Sequence, residues 1–537
     1  MQEEYFEPWI GTWPTAIDWT AAVMGTHVVA AIESLSGSLE ILPSKLLDPK
    51  DDRFYKENVI SSYFTQVVGY YFGQDALSLR NQAFDDMLWV VLGWLDTVQF
   101  IETHSKSLFD TSSPPFNRTW HGSIWTRAFA HRARVFWDLA SAGWDTKLCG
   151  GGMNWNPRLL PYKNAITNEL WIAGSIHMYL HFPGDSNTSP FGTNPNPNTN
   201  KSEHQNTDWA PRDFKYLRAA LEGYRWLTSS NFTNDQGLYI DGFHVSNLDQ
   251  GGTKCDQRDE MVYTYNQGVV LSGQLGLFRA TGKLSYLDEG HKLIENVIRA
   301  TGYDLKKNKP VDNISTVFNK EELPPWRGLG RAGILEEACD ATATCSQDSQ
   351  AFKGIWMHHF TTFCSPLQPP PNPLNPANPV FKEARRSQAV RCLRYLGWIK
   401  HNADAARGTR DADGKFGMWW TPGLWNSTNT VSFHLTNDSL PHTPGATDYR
   451  NHGVPQDPTW ISMQVFPEAS EHQGDDGGIR AISHPQQPLG LTQKRKETNT
   501  TTVAGDPNVR GRGRTVETQG GGVAVLRALW ELSKQTF

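Results

Sequence analysis

Apolar residues recur at steps of three and four along most of this chain, and that period restricts the fold more than any other feature. Residues 15–37 carry Ile17, Met24, Val28, Ala31 and Leu35 on one face, with Gly37 as a stop signal. Residues 57–73 repeat the pattern with Ile60, Phe64, Val67 and Tyr71, and residues 121–142 with Phe129, Ala133, Phe136 and Ala140. The same spacing predicts helices over 84–102, 163–181, 211–228, 265–281, 283–301, 348–363, 382–402 and 521–534. Only Gly237–Asp241 has the composition of a short strand. The stretches 185–210 and 403–518 are rich in Asn, Pro, Gly and Asp and are expected as loops. A helix pair cannot bury its apolar face alone, so pairs must pack on one another. Six pairs closing into a ring would gather their connecting loops around one cleft, although periodicity alone does not dictate closure.

Two adjacent acids open one of these helices, in Phe84-Asp-Asp-Met-Leu-Trp89. Behind them Leu88, Val91, Leu92 and Leu95 form a buried-looking face. Asp is favoured at helix N-termini as a cap or dipole partner, and that bland role explains many such pairs. Burying two neighbouring carboxylates is costly, however, and each raises the pKa of the other, which suits acid–base work.

Composition narrows the partners. The net charge of -6 argues against nucleic acid, and no apolar run approaches the ~18 to 20 residues of a membrane span. The 21 Trp, 16 Tyr and 25 Phe suit a sugar-binding cleft as well as a core. The six cysteines form no Cys-x-x-Cys pair, so disulfides are expected and zinc is not. Cys339 and Cys345 are close enough to close a small loop. Sequons occur at Asn117, Asn187, Asn200, Asn231, Asn313, Asn426, Asn437 and Asn499, which with an even cysteine count points to a secreted eukaryotic protein. The acidic start Met1-Gln-Glu-Glu lacks an apolar leader, as expected if Met1 precedes a mature chain, and Glu531–Phe537 lacks a GPI-anchor tail.

Other motifs favour plain structural readings. Gly328-Leu-Gly-Arg-Ala-Gly333 has the spacing of a dinucleotide loop but follows Pro324-Pro-Trp-Arg instead of a strand. Asp411-Ala-Asp-Gly414 places Trp420 where a calcium loop needs Glu, so an Asx turn is expected. His358-His359 has no acid at ligand spacing on its own helix. Lys494-Arg-Lys496 with Arg510, Arg512 and Arg514 is expected as a solvated loop.

Taken in order, five further segments resemble glycoside hydrolase family 76, the endo-α-1,6-mannanases and their fungal cell-wall relatives. Beside the Asp85–Asp86 pair stand Gly150-Gly-Gly-Met-Asn-Trp155, Tyr162-Lys-Asn-Ala-Ile-Thr-Asn168, Thr264-Tyr-Asn-Gln-Gly268, Ala280-Thr-Gly-Lys-Leu-Ser-Tyr286 and Phe352-Lys-Gly-Ile355. The resemblance covers about 15–402 and the last helix. It implies an all-α (α/α)6 barrel of six helical hairpins, one catalytic domain over 1–537 with insertions near 185–210 and 403–518. It implies retaining hydrolysis within α-1,6-mannan or mannoprotein oligosaccharides, with Asp85 as nucleophile, Asp86 as general acid/base and no cofactor or metal. Trp155, Tyr265, Asn266 and Gln267 are the candidates for the cleft wall, and Asp18 beside Trp19 is a further one. A secreted fungal monomer is expected. The alternatives are a cell-wall transglycosidase acting on GPI-anchored mannoprotein glycans, a sugar-binding barrel without chemistry, and a sugar epimerase using His358 and His359.

Overall fold

Twelve long helices carry the fold in a computed structural model that describes residues 1–39, 52–108, 120–187, 209–312, 323–368, 379–424, 433–436, 444–452, 500–503 and 505–535. They are α1 (Asp18–Ser36), α2 (Asp52–Gly73), α3 (Phe84–Leu108), α4 (Thr126–Ala140), α5 (Ala165–His181) and α6 (Phe214–Ser229). Then follow α7 (Val269–Thr281), α8 (Ser285–Ala300), α9 (Gln347–Phe363), α10 (Pro379–Leu393), α11 (Leu396–Gly408) and α12 (Val516–Lys534).

Composition separates two classes of helix. Every residue of α5 from Ala165 to Tyr179 is buried, as only a helix covered on all sides can be. In α8 the buried positions Tyr286, Leu287, Gly290, Leu293, Ile294, Val297 and Ile298 form one stripe, so its other face meets solvent. The covered class forms an inner ring: α1, α3, α5, α7, α9 and α12 pack each on the next, and α12 returns to α1. Outside them lie α2 on α1, α4 on α3, α6 on α5, α8 on α7 and α11 on α12. The sixth outer helix, α10, is tied to the end of α9 by the Cys364–Cys392 disulfide and by Gln388, whose amide donates to the Phe363 carbonyl at 2.8 Å. The ring is therefore an (α/α)6 barrel of six hairpins. Its last hairpin is written in reverse, with outer α11 preceding inner α12.

The inner helices all begin at one mouth. Trp19 at the start of α1 donates to Asp348 at the start of α9 (3.0 Å), and Thr20 donates to Glu517 at the start of α12 (2.9 Å). A small antiparallel sheet edges the same mouth: β1 (Tyr162–Asn164), β2 (Gly242–Val245) and β3 (Cys255–Asp259), with β2 in the centre.

Several expectations need correction. The segment 382–402 is not one helix, because the chain breaks at Arg394 and Tyr395 into α10 and α11. The last helix begins at Val516, where Thr515 and Thr518 form a capping box. Tyr239 makes only an isolated bridge to Thr233, and the strand begins just beyond, at Gly242. Gly330–Arg331 pairs with Ile334–Leu335 as a tight hairpin, where Arg331 forms a buried ion pair with Glu336 (2.9 Å). That loop opens no helix, so the phosphate-cradling geometry is missing. Asp411 accepts from the Lys415 N–H, four residues on, at 2.8 Å, whereas an Asx turn uses the N–H two residues on. Arg514 is bound and not solvated, donating to the Thr409 and Lys415 carbonyls and to Asp506, and half-buried Arg510 donates to the Pro507 and Ala341 carbonyls. Lys494–Lys496, most of 185–210 and much of 403–518 lie outside the described residues. So do the sequons at Asn117, Asn200, Asn313, Asn426, Asn437 and Asn499, whereas Asn187 and Asn231 are exposed.

Candidate active site

Asp85 and Asp86 occupy the first turn of α3 at the mouth where the inner helices begin. The Ala83 N–H donates to Asp86 Oδ2 (3.2 Å) and the Asp86 N–H to Asp85 Oδ1 (3.1 Å), so both acids use the free donors of a helix start. The Phe84 N–H is taken by the Trp155 carbonyl at 2.9 Å, which fixes a loop residue onto the acid-bearing turn.

The loop that carries Trp155 is held from all sides. Cys149, Gly150, Gly151 and Gly152 all have positive φ, which suits the glycines and explains their run. A Cβ at Gly152 would meet the Trp226 ring at 2.5 Å, so glycine is also required for the close approach. Cys149 is bonded to Cys255 on β3, Lys163 Nζ donates to the Gly152 carbonyl (2.7 Å), and Asn168 brackets Met153 with two hydrogen bonds.

The second wall comes from 444–452, a short stretch of the long C-terminal loop region. The Thr447 N–H donates to Asp259 (2.8 Å), Tyr263 donates to Asp448 (2.7 Å), and Asn451 accepts from the Ser346 N–H (2.8 Å). These ties deliver Arg450 to the site, with its guanidinium 4.7 Å from the centre of the Trp155 ring and 3.9 Å from Asp241. Arg450 Nε and Nη2 are buried and make no hydrogen bond among the described residues. Asp241 in turn accepts from the Tyr162 hydroxyl (2.8 Å) and from Asn266 Nδ2 (3.5 Å).

These surroundings drive the two acids apart. Burial pushes Asp85 up to about 6, while the Arg450 charge, backbone N–H donors and the Trp155 indole N–H favour its ionised form. Asp86 is raised well above the carboxylate range by burial, by the Asp85 charge and by Asp348. Around neutral pH one carboxylate is charged while its neighbour holds a proton. Burial disfavours the charge on Arg450, but Tyr265, Asp241 and Asp85 around it hold its pKa well up. Burial and Asp241 bring Asp259 to about 8.

Of the residues singled out in the sequence, Trp155 and Tyr265 reach the pair. The Tyr265 ring stacks on Phe352 at 3.8 Å, so one face is covered, and its hydroxyl is electrostatically linked to Arg450 and Asp85. Asn266 lies behind the pair on Asp241. Gln267 uses its amide on the backbone of Tyr239 and Tyr263, at 2.8, 2.8 and 3.0 Å, and so buttresses the turn. Asp18 accepts from Ser78 (2.9 Å) and Gln82 (2.7 Å), tying α1 to the approach to α3. Arg450, Asp241, Asp259 and Asp348 were not anticipated. Cys339, Asp340 and Cys345 are the one close group of metal-type donors among the described residues. The two cysteines are joined as a disulfide, and Asp340 is paired with Lys353 at 2.6 Å, so no thiolate is offered.

Residues 210–373 match the sequence profile of Glycosyl hydrolase family 76. The chain is similar to glycosyl hydrolase family 76 over that stretch. The matched stretch holds α6 to α9 and the Tyr265 turn, and the aspartate pair precedes it. The chain is 22% identical over 222 residues to mannan endo-1,6-alpha-mannosidase DFG5 of Saccharomyces cerevisiae, covering 40% of this chain and 34% of that protein. It is 22% identical over 252 residues to mannan endo-1,6-alpha-mannosidase DCW1 of Candida albicans, covering 46% and 43%. The match thus spans about a third of the length of the first curated relatives, 34% and 35%. Among solved structures it is similar to an inactive variant of the α-1,6-mannanase GH76A of Salegentibacter sp. HEL1_6 in complex with α-1,6-mannotetrose. The identity there is 14% and the TM-score 0.49, over 99% of this chain and 96% of that one. Dfg5 from Chaetomium thermophilum in complex with glucosamine is 14% identical with a TM-score of 0.45, over 76% and 74%.

Proposed function

We propose that this chain is a secreted retaining glycoside hydrolase that cleaves α-1,6-mannosidic bonds within mannan. The observation that carries the reading is the division of labour between adjacent acids. Asp85 keeps its charge beside Arg450 and Trp155, and Asp86 keeps a proton beside Asp85 and Asp348. Retaining glycosidases need this pair, one ionised and one protonated, about 5 to 5.5 Å apart. Asp85 attacks the anomeric carbon while Asp86 gives its proton to the departing glycosidic oxygen. Asp86, now a base, takes a proton from water, whose oxygen displaces Asp85 from the same carbon and regenerates both groups. The curated relatives, named as mannan endo-1,6-alpha-mannosidases, support the choice of bond. Three disulfides and the exposed Asn187 and Asn231 sequons support secretion.

The test is release of oligosaccharides from linear α-1,6-mannan. Asp85→Asn and Asp86→Asn should each abolish it, and full activity in either variant rejects the reading. Adding an acceptor sugar separates hydrolysis from transfer, because a transglycosidase would yield longer products.

A further inference from the structure

The six inner helices also end together, and the far mouth they form contains a chamber of about 440 Å3. All six contribute to its wall. Its floor is Asp96 on α3, three turns and roughly 16 Å along the helix from Asp85. His177 Nδ1 on α5 lies 3.4 Å from one Asp96 oxygen, and His358 Nε2 on α9 lies 3.6 Å from the other. Burial alone would raise Asp96, but the two imidazoles hold it well below the carboxylate range, so it faces the chamber as an acceptor. The acid beside His358 thus comes from α3 and not from its own helix.

Two guanidinium groups stand on the wall above. Arg279 on α7 makes one hydrogen bond, Nη1 with His181 (3.2 Å), and its buried Nε has no partner among the described residues. Arg527 on α12, 9% exposed, donates Nε to Ser34 (3.0 Å) and has Nη2 3.5 Å from Glu33, while its buried Nη1 has no partner among the described residues. Arg279 stands in the last turn of α7, where the helix dipole favours a cation. The dipole does not explain buried donors left unbonded, which is costly. Glu33, raised by burial, opposes an incoming anion less than an ordinary carboxylate would. The Lys534 ammonium, which also lines the chamber, already pairs with Glu531 at 2.9 Å.

We propose that this chamber is a second ligand site, built for a small polyhydroxylated anion of the sugar-acid or sugar-phosphate class. The anionic group meets Arg279 and Arg527, and hydroxyls donate to Asp96. The volume is in the range of small-molecule sites, about 300–1,000 Å3. Such a site is independent of the aspartate pair and of the reading of its chemistry.

The full chain would be titrated with gluconate, glycerol phosphate and sorbitol, following binding by calorimetry and thermal unfolding. Gluconate or glycerol phosphate should bind and raise Tm, the stronger of the two telling acid from phosphate ester, and sorbitol should not. Arg279→Gln, which removes one guanidinium with a single hydrogen bond, should weaken binding about tenfold or more, as should Arg527→Gln. Asp86→Asn should leave it unchanged, and circular dichroism would establish that each variant is folded. Absence of binding by both anions, equal binding of sorbitol, or binding that survives both arginine substitutions overturns the proposal. If Arg527→Gln does not fold, Arg279→Gln alone decides.

Discussion

The Arg450 guanidinium lies 4.7 Å from the centre of the Trp155 ring, and the same indole donates its N–H to Asp85. One cation from a distant loop thus stacks on the residue that orients the more acidic member of the pair. Cation–π contacts of this kind contribute about 0.5–2 kcal/mol, enough to hold the side chain over the ring. Its charge lowers Asp85 against the effect of burial. Replacing Arg450 by Met keeps the stem and removes the charge. The acid limb of the kcat/KM profile, expected near the Asp85 value of about 6, should then move to higher pH by about one unit. A purely structural role for Arg450 would lower activity without moving that limb.

A second expectation concerns stability. Asp85 is raised from 3.8 to about 6 in the folded chain, so the native state holds its proton more tightly than the unfolded state does. The slope of stability with pH is therefore negative between these values. The favourable contribution is present below about 4 and is lost as pH rises through about 6. At pH 7 the buried charge costs at most about 3 kcal/mol, taking 1.36 kcal/mol per unit. Asp85→Asn should unfold at higher temperature than the parent at pH 7, with the gain vanishing at pH 4. Asp86, raised further, should behave in the same direction. Equal unfolding temperatures at pH 7 would show that the acids are solvated.

Periodicity made the barrel legible because the inner and outer helices both keep an apolar face at helical spacing. It placed α1, α5 and α9 within a few residues of their observed bounds. It merged α10 with α11, because Arg394-Tyr395 has neither Gly nor Pro to mark the break. The acid pair was legible as adjacent carboxylates before an apolar run. Arg450 was not, since it stands in loop sequence whose anchors, Asp259, Tyr263 and Ser346, are far away along the chain. Gln267 was overread for a related reason. An amide at a helix start looks the same in sequence whether it faces a cleft or closes a turn, and only the carbonyls of Tyr239 and Tyr263 decide.

The Cys149–Cys255 disulfide joins the glycine turn to β3 across a separation of 106 residues. Loops of that length confer substantial stability when cross-linked, about 2–5 kcal/mol in measured cases. Here the bond also steadies the loop whose Trp155 carbonyl caps the acid-bearing helix. Cys149→Ser with Cys255→Ser should lower Tm and reduce kcat on mannan, and a similar loss should follow mild reduction of the parent. The Cys364–Cys392 pair, at the opposite end of the ring, should affect Tm when removed but leave kcat near the parental value.

Within the inner ring α9 packs tightly on α12, and the closeness of that contact is set by glycine. A Cβ on Gly354 would lie 3.0 Å from the Gly521 Cα and 3.1 Å from His27 Nε2. Backbone cannot step aside as a side-chain tip can, so the two helices would have to part by a few tenths of an ångström for even one carbon. Gly354→Ala should therefore cost stability despite the better helix propensity of Ala, which alone would favour it by about 1 kcal/mol. Gly354→Leu adds three more carbons to the same contact, and overpacking of this kind costs about 1–3 kcal/mol or more. Because α9 carries Phe352 under Tyr265 and Asp348 beside Asp86, parting the helices should also disturb the acid pair. The expected result is a graded series, parent above Ala above Leu in Tm, with activity lost faster than stability. A more stable Ala variant with parental activity would show that α9 and α12 have room to spare.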